Sequence, residues 1–260
     1  MGNTAQQRPD AERLGLGGTG IAQRLALVHR RIAEAACRAG RDPASITLVA
    51  VSKGVEAARI REALQCGQRI FGENRVRELV LKAVELGART AGGPGGGEPG
   101  PAAVEWHMIG HLQRNKVRQV VPHIAMLHSL DSLPLAEELD RHLQRLGKRL
   151  DVLVEVNTSG EPTKFGVAPD GAAELVRCAA RLASLRVVGL MTIGPNTTDV
   201  EAIRRAFRLL RELLARIRDD GLAGPDFAHL SMGMSGDFEL AIQEGATFVR
   251  IGTAIFGARA

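Results

Sequence analysis

Residues 124–157 read IAMLHSLDSLPLAEELDRHLQRLGKRLDVLVEVN, and this stretch predicts a strand, a helix and a second strand. The two outer runs, 124–130 and 151–157, are short and apolar, as expected of buried strands. Ser132 and Pro134 suit the start of the helix between them. One face of that helix is marked by leucines at helical spacing, namely Leu135, Leu139, Leu143 and Leu146.

The same alternation runs through the rest of the chain. Six further apolar runs resemble these two: ITLVAVS (46–52), RIFG (69–72), VEWHMIG (104–110), RVVGLMTI (186–193), FAHLSMG (227–233) and TFVRIG (247–252). Helices are predicted at 57–64, 74–86, 112–121, 132–147, 170–183, 200–217 and 237–244, with a leading helix at 21–39. The pattern predicts an α/β protein, a single (β/α)8 TIM-type barrel with an extra N-terminal helix. An open doubly wound sheet is the alternative.

Two segments fall outside this alternation. Residues 1–20 are polar and glycine-rich, and we expect a disordered tail there. Residues 89–103 (RTAGGPGGGEPGPAA) predict a flexible Gly/Pro insertion, because this composition sustains neither a helix nor a strand. The alternation resumes after the insertion, so residues 21–260 are predicted to form one domain.

Composition limits the classes of ligand that the protein is expected to bind. The chain has 260 residues, 45% hydrophobic and 24% charged, enough for one large globular domain. The net charge is +5, but the arginines are spread over many segments and aromatic residues make up only 3%. Nucleic-acid binding is therefore not favoured, and an acidic or phosphorylated small ligand fits better.

Cysteine usage and hydropathy indicate the compartment. Cys37, Cys66 and Cys178 are odd in number and far apart, which predicts neither a disulfide framework nor a zinc site. No apolar run approaches the ~20 residues of a membrane span, and the N-terminus lacks the apolar core of a signal peptide. We expect a cytoplasmic protein without a membrane partner.

Lys53 follows the first predicted strand, at the end where barrel enzymes carry their chemistry. Beside apolar walls an ammonium group loses hydration, and the neutral amine can then attack an aldehyde. Lys53 is therefore a candidate for a Schiff base with a carbonyl ligand. The alternative is a lysine that ends a buried strand and extends its ammonium group into water.

A phosphate site is predicted after the last two strands. The segments LSMGMSGD (230–237) and VRIGTAIFG (249–257) each lead from a strand through small residues into a helix. We expect Ser235, Gly252 and Thr253 to face a bound phosphate there. The alternative is a pair of tight turns in which glycine is needed for positive φ.

Strand alternation places Arg250 on the same face as Phe248 and Gly252, toward the barrel mouth. An ion pair with a neighbouring carboxylate is the alternative role for this arginine.

Six stretches together resemble the pyridoxal phosphate homeostasis protein family, over about residues 21–258. They are AVSK (50–53), FGEN (71–74), EWHMIGHLQRNK (105–116), NTSGEPTKFG (157–166), GLMTI (189–193) and LSMGMSGDFELAIQEGATFVRIGTAIFG (230–257). The resemblance implies a barrel akin to the N-terminal domain of alanine racemase, with pyridoxal 5′-phosphate as an imine on Lys53. It also implies a role in controlling free cofactor and amino or keto acid balance, without an established turnover.

The resemblance also implies roles for individual residues. Phosphate contacts are implied for Ser235, Gly252 and Thr253, and a contact with the pyridine nitrogen for Arg250, whose fixed charge would keep that nitrogen unprotonated. Asn74, Met191 and Ser231 would line the cofactor. Lys164 is similar to a family lysine that holds or passes cofactor, although an exposed loop lysine is the alternative. The sequence departs from the family at Gly54, Val55 and Glu56, where a polar turn is usual.

Three functions are compatible with a lysine and a phosphate site on a barrel. The first is a reversible carrier and buffer of pyridoxal phosphate, a monomer that passes the cofactor to apo-enzymes. The second is an amino-acid racemase, which is disfavoured because such racemases use a tyrosine and this chain contains none. The third is a Schiff-base aldolase acting on sugar phosphates. His107 and His111 are interpreted as hydrogen-bonded polar groups near the mouth, not as metal ligands.

Overall fold

The computed structural model describes residues 20–86 and 104–257. Within them the eight predicted strands form one closed parallel barrel in chain order, which confirms the (β/α)8 prediction. The strands are β1 Thr47–Val51, β2 Ile70–Glu73, β3 Glu105–Met108, β4 Met126–Leu130, β5 Leu150–Glu155, β6 Leu185–Met191, β7 His229–Ser231 and β8 Phe248–Ile251. The barrel closes where β1 pairs with β8, with Val49 opposite Arg250. The predicted insertion at 89–103, and the predicted tail apart from Gly20, lie outside the described residues.

The helices follow the strands around the barrel. They are α1 Ile21–Arg38, α2 Ala57–Gln65, α3 Val76–Leu86, α4 Val117–Val120, α5 Leu133–Leu146, α6 Ala172–Ala179, α7 Val200–Asp219, α8 Phe238–Gln243 and α9 Thr253–Phe256. The single helix predicted at 112–121 is wrong, because α4 is one turn between two 3-10 turns, Arg114–Lys116 and Val121–His123. Pro122 explains the break after α4, since proline has no backbone N–H to continue the helical ladder.

The extra N-terminal helix, α1, joins the first and last parts of the helical ring. The backbone N–H of Ile21 donates to Glu62 Oε1 of α2 at 3.2 Å. On the other side, Arg31 forms an ion pair with Glu239 of α8 at 3.1 Å and lies 4.8 Å from the ring centroid of Phe238. The helix therefore ties the two ends of the βα succession together, next to the seam between β1 and β8.

Two apolar layers sandwich the strands. The outer layer lies between strands and helices and includes Phe71, Trp106 and Phe207. The inner layer fills the barrel, with Val49, Val51, Ile109, Met126, Leu153, Val188, Met191 and Phe248. Because side chains alternate along a strand, each polar side chain in these strands points into either the inner or the outer layer. No helix in the described part of the chain is long and apolar enough to cross a membrane.

Candidate functional site

A cavity of about 230 Å³ opens at the carboxyl end of the strands. Its polar wall contains six of the nine predicted site residues: Lys53, Asn74, Ser235, Arg250, Gly252 and Thr253. Its apolar wall is formed by Val51, Ile109, Ile193 and Met234. One cavity thus brings together residues from the loops after β1, β2, β7 and β8, as the barrel prediction requires. We refer to it as the mouth cavity.

Lys53 lies on a short turn directly after β1. The turn is closed by a hydrogen bond from the Val55 N–H to the Ser52 carbonyl at 2.9 Å. Gly54 has φ +69°, a conformation that glycine adopts without strain. Its N–H donates to Glu78 Oε2 at 2.8 Å. The unusual Gly54-Val55-Glu56 segment therefore forms a defined turn, in which the glycine supplies the positive φ.

A buried ion pair supports this turn from below. Lys82 of α3 donates to Glu73 Oε1 at 2.6 Å and to the carbonyl oxygen of Ser52 at 2.7 Å. The Ser52 hydroxyl donates to the same Glu73 oxygen at 2.8 Å. Glu73 is fully buried, and this burial raises the pKa of its carboxyl group even though Lys82 acts in the opposite direction. Ser52, Glu73 and Lys82, which we call the clamp, fix the backbone next to Lys53.

Ser235, Gly252 and Thr253 line one side of the mouth cavity. The Ser235 hydroxyl accepts a long hydrogen bond, 3.4 Å, from the Ala254 N–H, so the two loops meet at this point. Gly252 has φ −118°, and positive φ is therefore not the reason for glycine here. A Cβ atom at Gly252 would lie 3.1 Å from the Val51 carbonyl oxygen, so glycine permits the close approach of β8 to β1.

Arg250 reaches the mouth cavity from inside the barrel. It lies on the face predicted from strand alternation, and its side chain is only 4% exposed. Its guanidinium donates to Ser231 Oγ at 2.6 Å and to the Thr192 carbonyl at 2.8 Å. Burial lowers its pKa to about 10, while the carboxylates of Glu155 and Asp237 act in the opposite direction. These two hydrogen bonds to uncharged groups take the place of the direct ion pair considered as the alternative.

Glu155 was not among the predicted site residues. It ends β5, is 3% exposed, and has one carboxylate oxygen buried without a hydrogen-bond partner in the described structure. Burial raises the pKa of this carboxyl to about 7, against the opposing effect of Arg250. Alternation along residues 151–157 puts Glu155 on the face of Leu153 and Asn157, and this was the available signal. Asp237, whose pKa is also raised by burial, lies in the neighbouring cavity.

The remaining predicted residues lie around the mouth cavity. Met191 belongs to the inner apolar layer, and Ser231 is buried beneath Arg250. Lys164 lines a neighbouring cavity of about 660 Å³ that shares Ile193 and Ser235 with the first. Its ammonium group donates to Glu161 Oε1 and to the Gly194 carbonyl, both at 2.7 Å.

The two histidines noted in the sequence have hydrogen-bond partners. His107 is buried in the barrel, where it contacts Glu105 Oε1 at 3.1 Å and His128 at 2.9 Å. His111 lies at the mouth, 2.8 Å from Asp131 Oδ2, and stacks on Phe165 with ring centroids 4.1 Å apart. Both are hydrogen-bonded polar groups, as interpreted, but of the two His111 lies at the mouth and His107 lies inside the barrel.

Comparison with known proteins gives a consistent result. Residues 25–260 match the family model for the alanine racemase N-terminal domain. The pyridoxal phosphate homeostasis protein of Aquifex aeolicus is 43% identical over 238 residues, which cover 91% of this chain and 97% of that protein. PipY of Synechococcus elongatus, in a structure with PLP bound, matches with a TM-score of 0.73 and 35% identity, over 91% of this chain and 100% of that one.

A more distant likeness concerns the fold alone. The alanine racemase of Corynebacterium glutamicum matches with a TM-score of 0.65 at 17% identity. The match covers 92% of this chain and 61% of the racemase. The barrel is therefore shared between proteins of very different sequence.

Proposed function

The chain belongs to the pyridoxal phosphate homeostasis protein family, and we propose that it binds pyridoxal 5′-phosphate reversibly in the mouth cavity, as a carrier and buffer of that cofactor. The observation that carries this proposal is the convergence of Lys53, Arg250 and two hydroxyl groups, Ser235 and Thr253, on one cavity. This cofactor requires an amine for its aldehyde, hydroxyl donors for its phosphate and, at the ring nitrogen, a polar partner such as a cation. Apo-enzymes are the proposed recipients.

The residues present fit the cofactor. Asn74 Oδ1 is buried and has no hydrogen-bond partner in the described part of the chain, although Asn74 lines the cavity. A buried acceptor of this kind is costly unless a ligand satisfies it. When bound, pyridoxal phosphate supplies an aldehyde that reacts reversibly with a lysine amine. Lys53 supplies that amine, and the clamp keeps its backbone in place.

The other residues bind and orient. Ser235 and Thr253 supply hydroxyl donors for the phosphate, and Gly252 lets the backbone approach closely. Arg250 supplies a fixed cation for the pyridine nitrogen; a group that is always charged does not hand a proton to that nitrogen, which leaves the ring a weak electron sink. These assignments favour storage and release of the cofactor over chemistry on amino acids.

We further propose that the protein has no racemase turnover. Racemisation requires two acid/base groups on opposite sides of the substrate. Among the described residues lining the mouth cavity, Lys53 and Arg250 are the two with ionisable side chains, and Arg250, with a pKa of about 10, keeps its charge at neutral pH. The sequence also contains no tyrosine.

A titration tests the proposal. Purified protein is titrated with pyridoxal phosphate and with pyridoxal while the visible absorption spectrum is recorded, and bound cofactor is then removed by dialysis. We expect pyridoxal phosphate to bind about 100-fold more tightly than pyridoxal because of the charge-assisted contacts with the phosphate. The double variant Ser235→Ala/Thr253→Val should lose most of this preference, whereas Ser45→Ala, at the opposite end of β1, should keep it.

Two results would contradict the proposal. Equal affinity for pyridoxal and pyridoxal phosphate would show that the cavity does not recognise the phosphate. Conversion of L-alanine to D-alanine by the loaded protein, at a rate that saturates with alanine, would make the protein an enzyme and not a carrier.

A further inference from the structure

A continuous run of hydrogen bonds crosses the barrel interior beneath the mouth cavity. It starts at Arg250, whose guanidinium donates to Ser231 Oγ at 2.6 Å. Ser231 Oγ lies 2.9 Å from His128 Nδ1, and His128 Nε2 lies 2.9 Å from His107 Nδ1. The run ends where His107 Nε2 meets Glu105 Oε1 at 3.1 Å. We call these five residues the interior relay.

The chemistry of the two ends sets the direction of the relay. An arginine can only donate hydrogen bonds, and a carboxylate can only accept them. The His107 nitrogen that faces Glu105 must therefore carry hydrogen, which leaves Nδ1 of a neutral His107 as an acceptor. His128 then donates from Nε2 and accepts at Nδ1 from the Ser231 hydroxyl. Every contact thus pairs one donor with one acceptor, from Arg250 to Glu105.

Burial supports this assignment. Ser231 and His128 are fully buried, His107 is 1% exposed, and Arg250 is 4% exposed. Burial, together with His107, Arg250 and His229 nearby, lowers the pKa of His128 well below its ordinary value, so its ring is neutral. In such a low-dielectric interior aligned hydrogen bonds polarise one another and strengthen. Glu105 stands at the amino end of β3, so the relay links the far side of the barrel to the mouth.

We propose that His107 and His128 are positioning residues for Arg250: Glu105 fixes the direction of their hydrogen bonds, and Ser231 passes that direction to the guanidinium. The existence of the relay is independent of any ligand. Its consequence for cofactor affinity rests on the proposed function.

The first test determines which ring nitrogens of His107 and His128 carry hydrogen. The 15N-labelled full chain, without cofactor and at neutral pH, is examined by NMR correlation of imidazole nitrogens with ring protons. The signals of His107 and His128 are assigned with single His→Asn variants. We expect hydrogen on Nε2 of both rings and none on either Nδ1. A proton on His128 Nδ1 would overturn the proposal, because the relay would then run the other way, as an imidazolium at His107 would require.

The second test uses two variants that each keep one half of the His128 contacts. Asparagine places its amide oxygen near the position of Nδ1 and can still accept from Ser231. Glutamine reaches the position of Nε2 and can still donate to His107. We expect His128→Gln to weaken pyridoxal phosphate binding about tenfold, the scale of one hydrogen bond serving a charged group. His128→Asn should lose clearly less.

Controls separate positioning from packing and from the function itself. His29→Gln, on the exposed side of α1, should bind as the parent does. The melting temperatures of the two His128 variants are compared, since a purely structural role would lower affinity in parallel with stability. Equal affinity losses for both variants would overturn the proposal. Failure of the parent to bind pyridoxal phosphate would instead contradict the proposed function, and the NMR result would still decide the relay.

Discussion

Lys53 and Lys164 both lie near the barrel mouth, but their surroundings differ. Lys53 lines the mouth cavity with Arg250 and Thr253. The ammonium group of Lys164 is held by the Glu161 carboxylate and the Gly194 carbonyl, both at 2.7 Å. Those contacts must break before the Lys164 nitrogen can attack a carbonyl. For Lys164, proximity to the mouth is therefore not enough for reaction.

The two lysines also differ in how their backbones are held. The turn that carries Lys53 is fixed by side chains from elsewhere in the sequence, since Lys82 donates to the Ser52 carbonyl at 2.7 Å. The loop that carries Lys164 is held partly by its own residues, for example by the hydrogen bond from Asn157 Nδ2 to the Glu161 carbonyl at 2.9 Å. It is also held by the loop after β6, since the Lys164 ammonium group donates to the Gly194 carbonyl. We infer that the backbone at Lys53 is held by the clamp, whereas the Lys164 side chain is itself part of what holds its loop.

The largest effect on cofactor binding is expected from removing the Lys53 amine. Lys53→Ala should lose all covalent cofactor and bind pyridoxal phosphate about 100-fold more weakly, because only the phosphate and ring contacts remain. Equilibrium dialysis measures the affinity, and Lys116→Ala, which does not line the cavity, is the control. Complete loss of binding would contradict the assignment of affinity to Ser235, Thr253 and Arg250.

The largest effect on stability is expected from breaking the clamp. Lys82→Met leaves the buried Glu73 without its cation, and such losses cost about 3–5 kcal/mol of unfolding free energy. Urea unfolding measures this change. The double variant Lys82→Met/Glu73→Gln should recover part of the loss, because no unpaired charge remains. A single variant as stable as the parent would show that the ion pair does not support the turn beneath Lys53.

Glu155 should make stability depend on pH. Its pKa is raised from 4.5 to about 7 in the folded protein. Because the folded state holds this proton more tightly, the contribution is fully present below the unfolded pKa and is lost as pH rises through about 7. Relative to the parent, Glu155→Gln should gain roughly 3 kcal/mol of unfolding free energy between acid and mildly alkaline pH.

Urea unfolding at a series of pH values provides the measurement for Glu155. Glu137→Gln, at an exposed position on α5, is the control and should follow the parent. If the unfolding free energy of Glu155→Gln ran parallel to that of the parent at all pH values, burial next to Arg250 would not raise the pKa of Glu155.

The smallest effect is expected at the second lysine. Lys164→Met removes a partly exposed ion pair with Glu161, and such pairs contribute about 1 kcal/mol or less. Covalent attachment of cofactor at Lys53 should be unchanged. Cofactor affinity, measured by the same dialysis, should change little, and a loss as large as that of Lys53→Ala would reverse the ranking of the two lysines.

The sequence predicts the positions of Lys53 and Arg250 because both follow from strand order and alternation. A strand has a period of two, so TFVRIG puts Arg250 on one face with Phe248, and the barrel closes with that face inward. These positions depend only on local sequence and on the number of strands.

Other features depend on contacts that alternation does not specify. Glu73 directly follows an apolar run and Glu155 lies within one, yet Glu73 pairs with Lys82 of α3 and Glu155 lies near Arg250 within the barrel. The register of neighbouring strands decides whether each carboxylate enters the inner or the outer layer. The contact between His128 of β4 and Ser231 of β7 likewise depends on how these two strands face each other across the barrel, which the sequence pattern does not give. The predicted helix at 112–121 fails mainly because Arg114–Lys116 forms a 3-10 turn, which helical periodicity does not distinguish from an α-helix.

The most direct test of the central claim is the site of cofactor attachment. The parent protein is incubated with pyridoxal phosphate, reduced with borohydride, digested and mapped by mass spectrometry. We predict a pyridoxyl label on Lys53, with Lys164 unlabelled at stoichiometric cofactor. A label on Lys164 in place of Lys53, or bound cofactor that leaves Lys53 unlabelled, would contradict the assignment of the mouth cavity as the cofactor site.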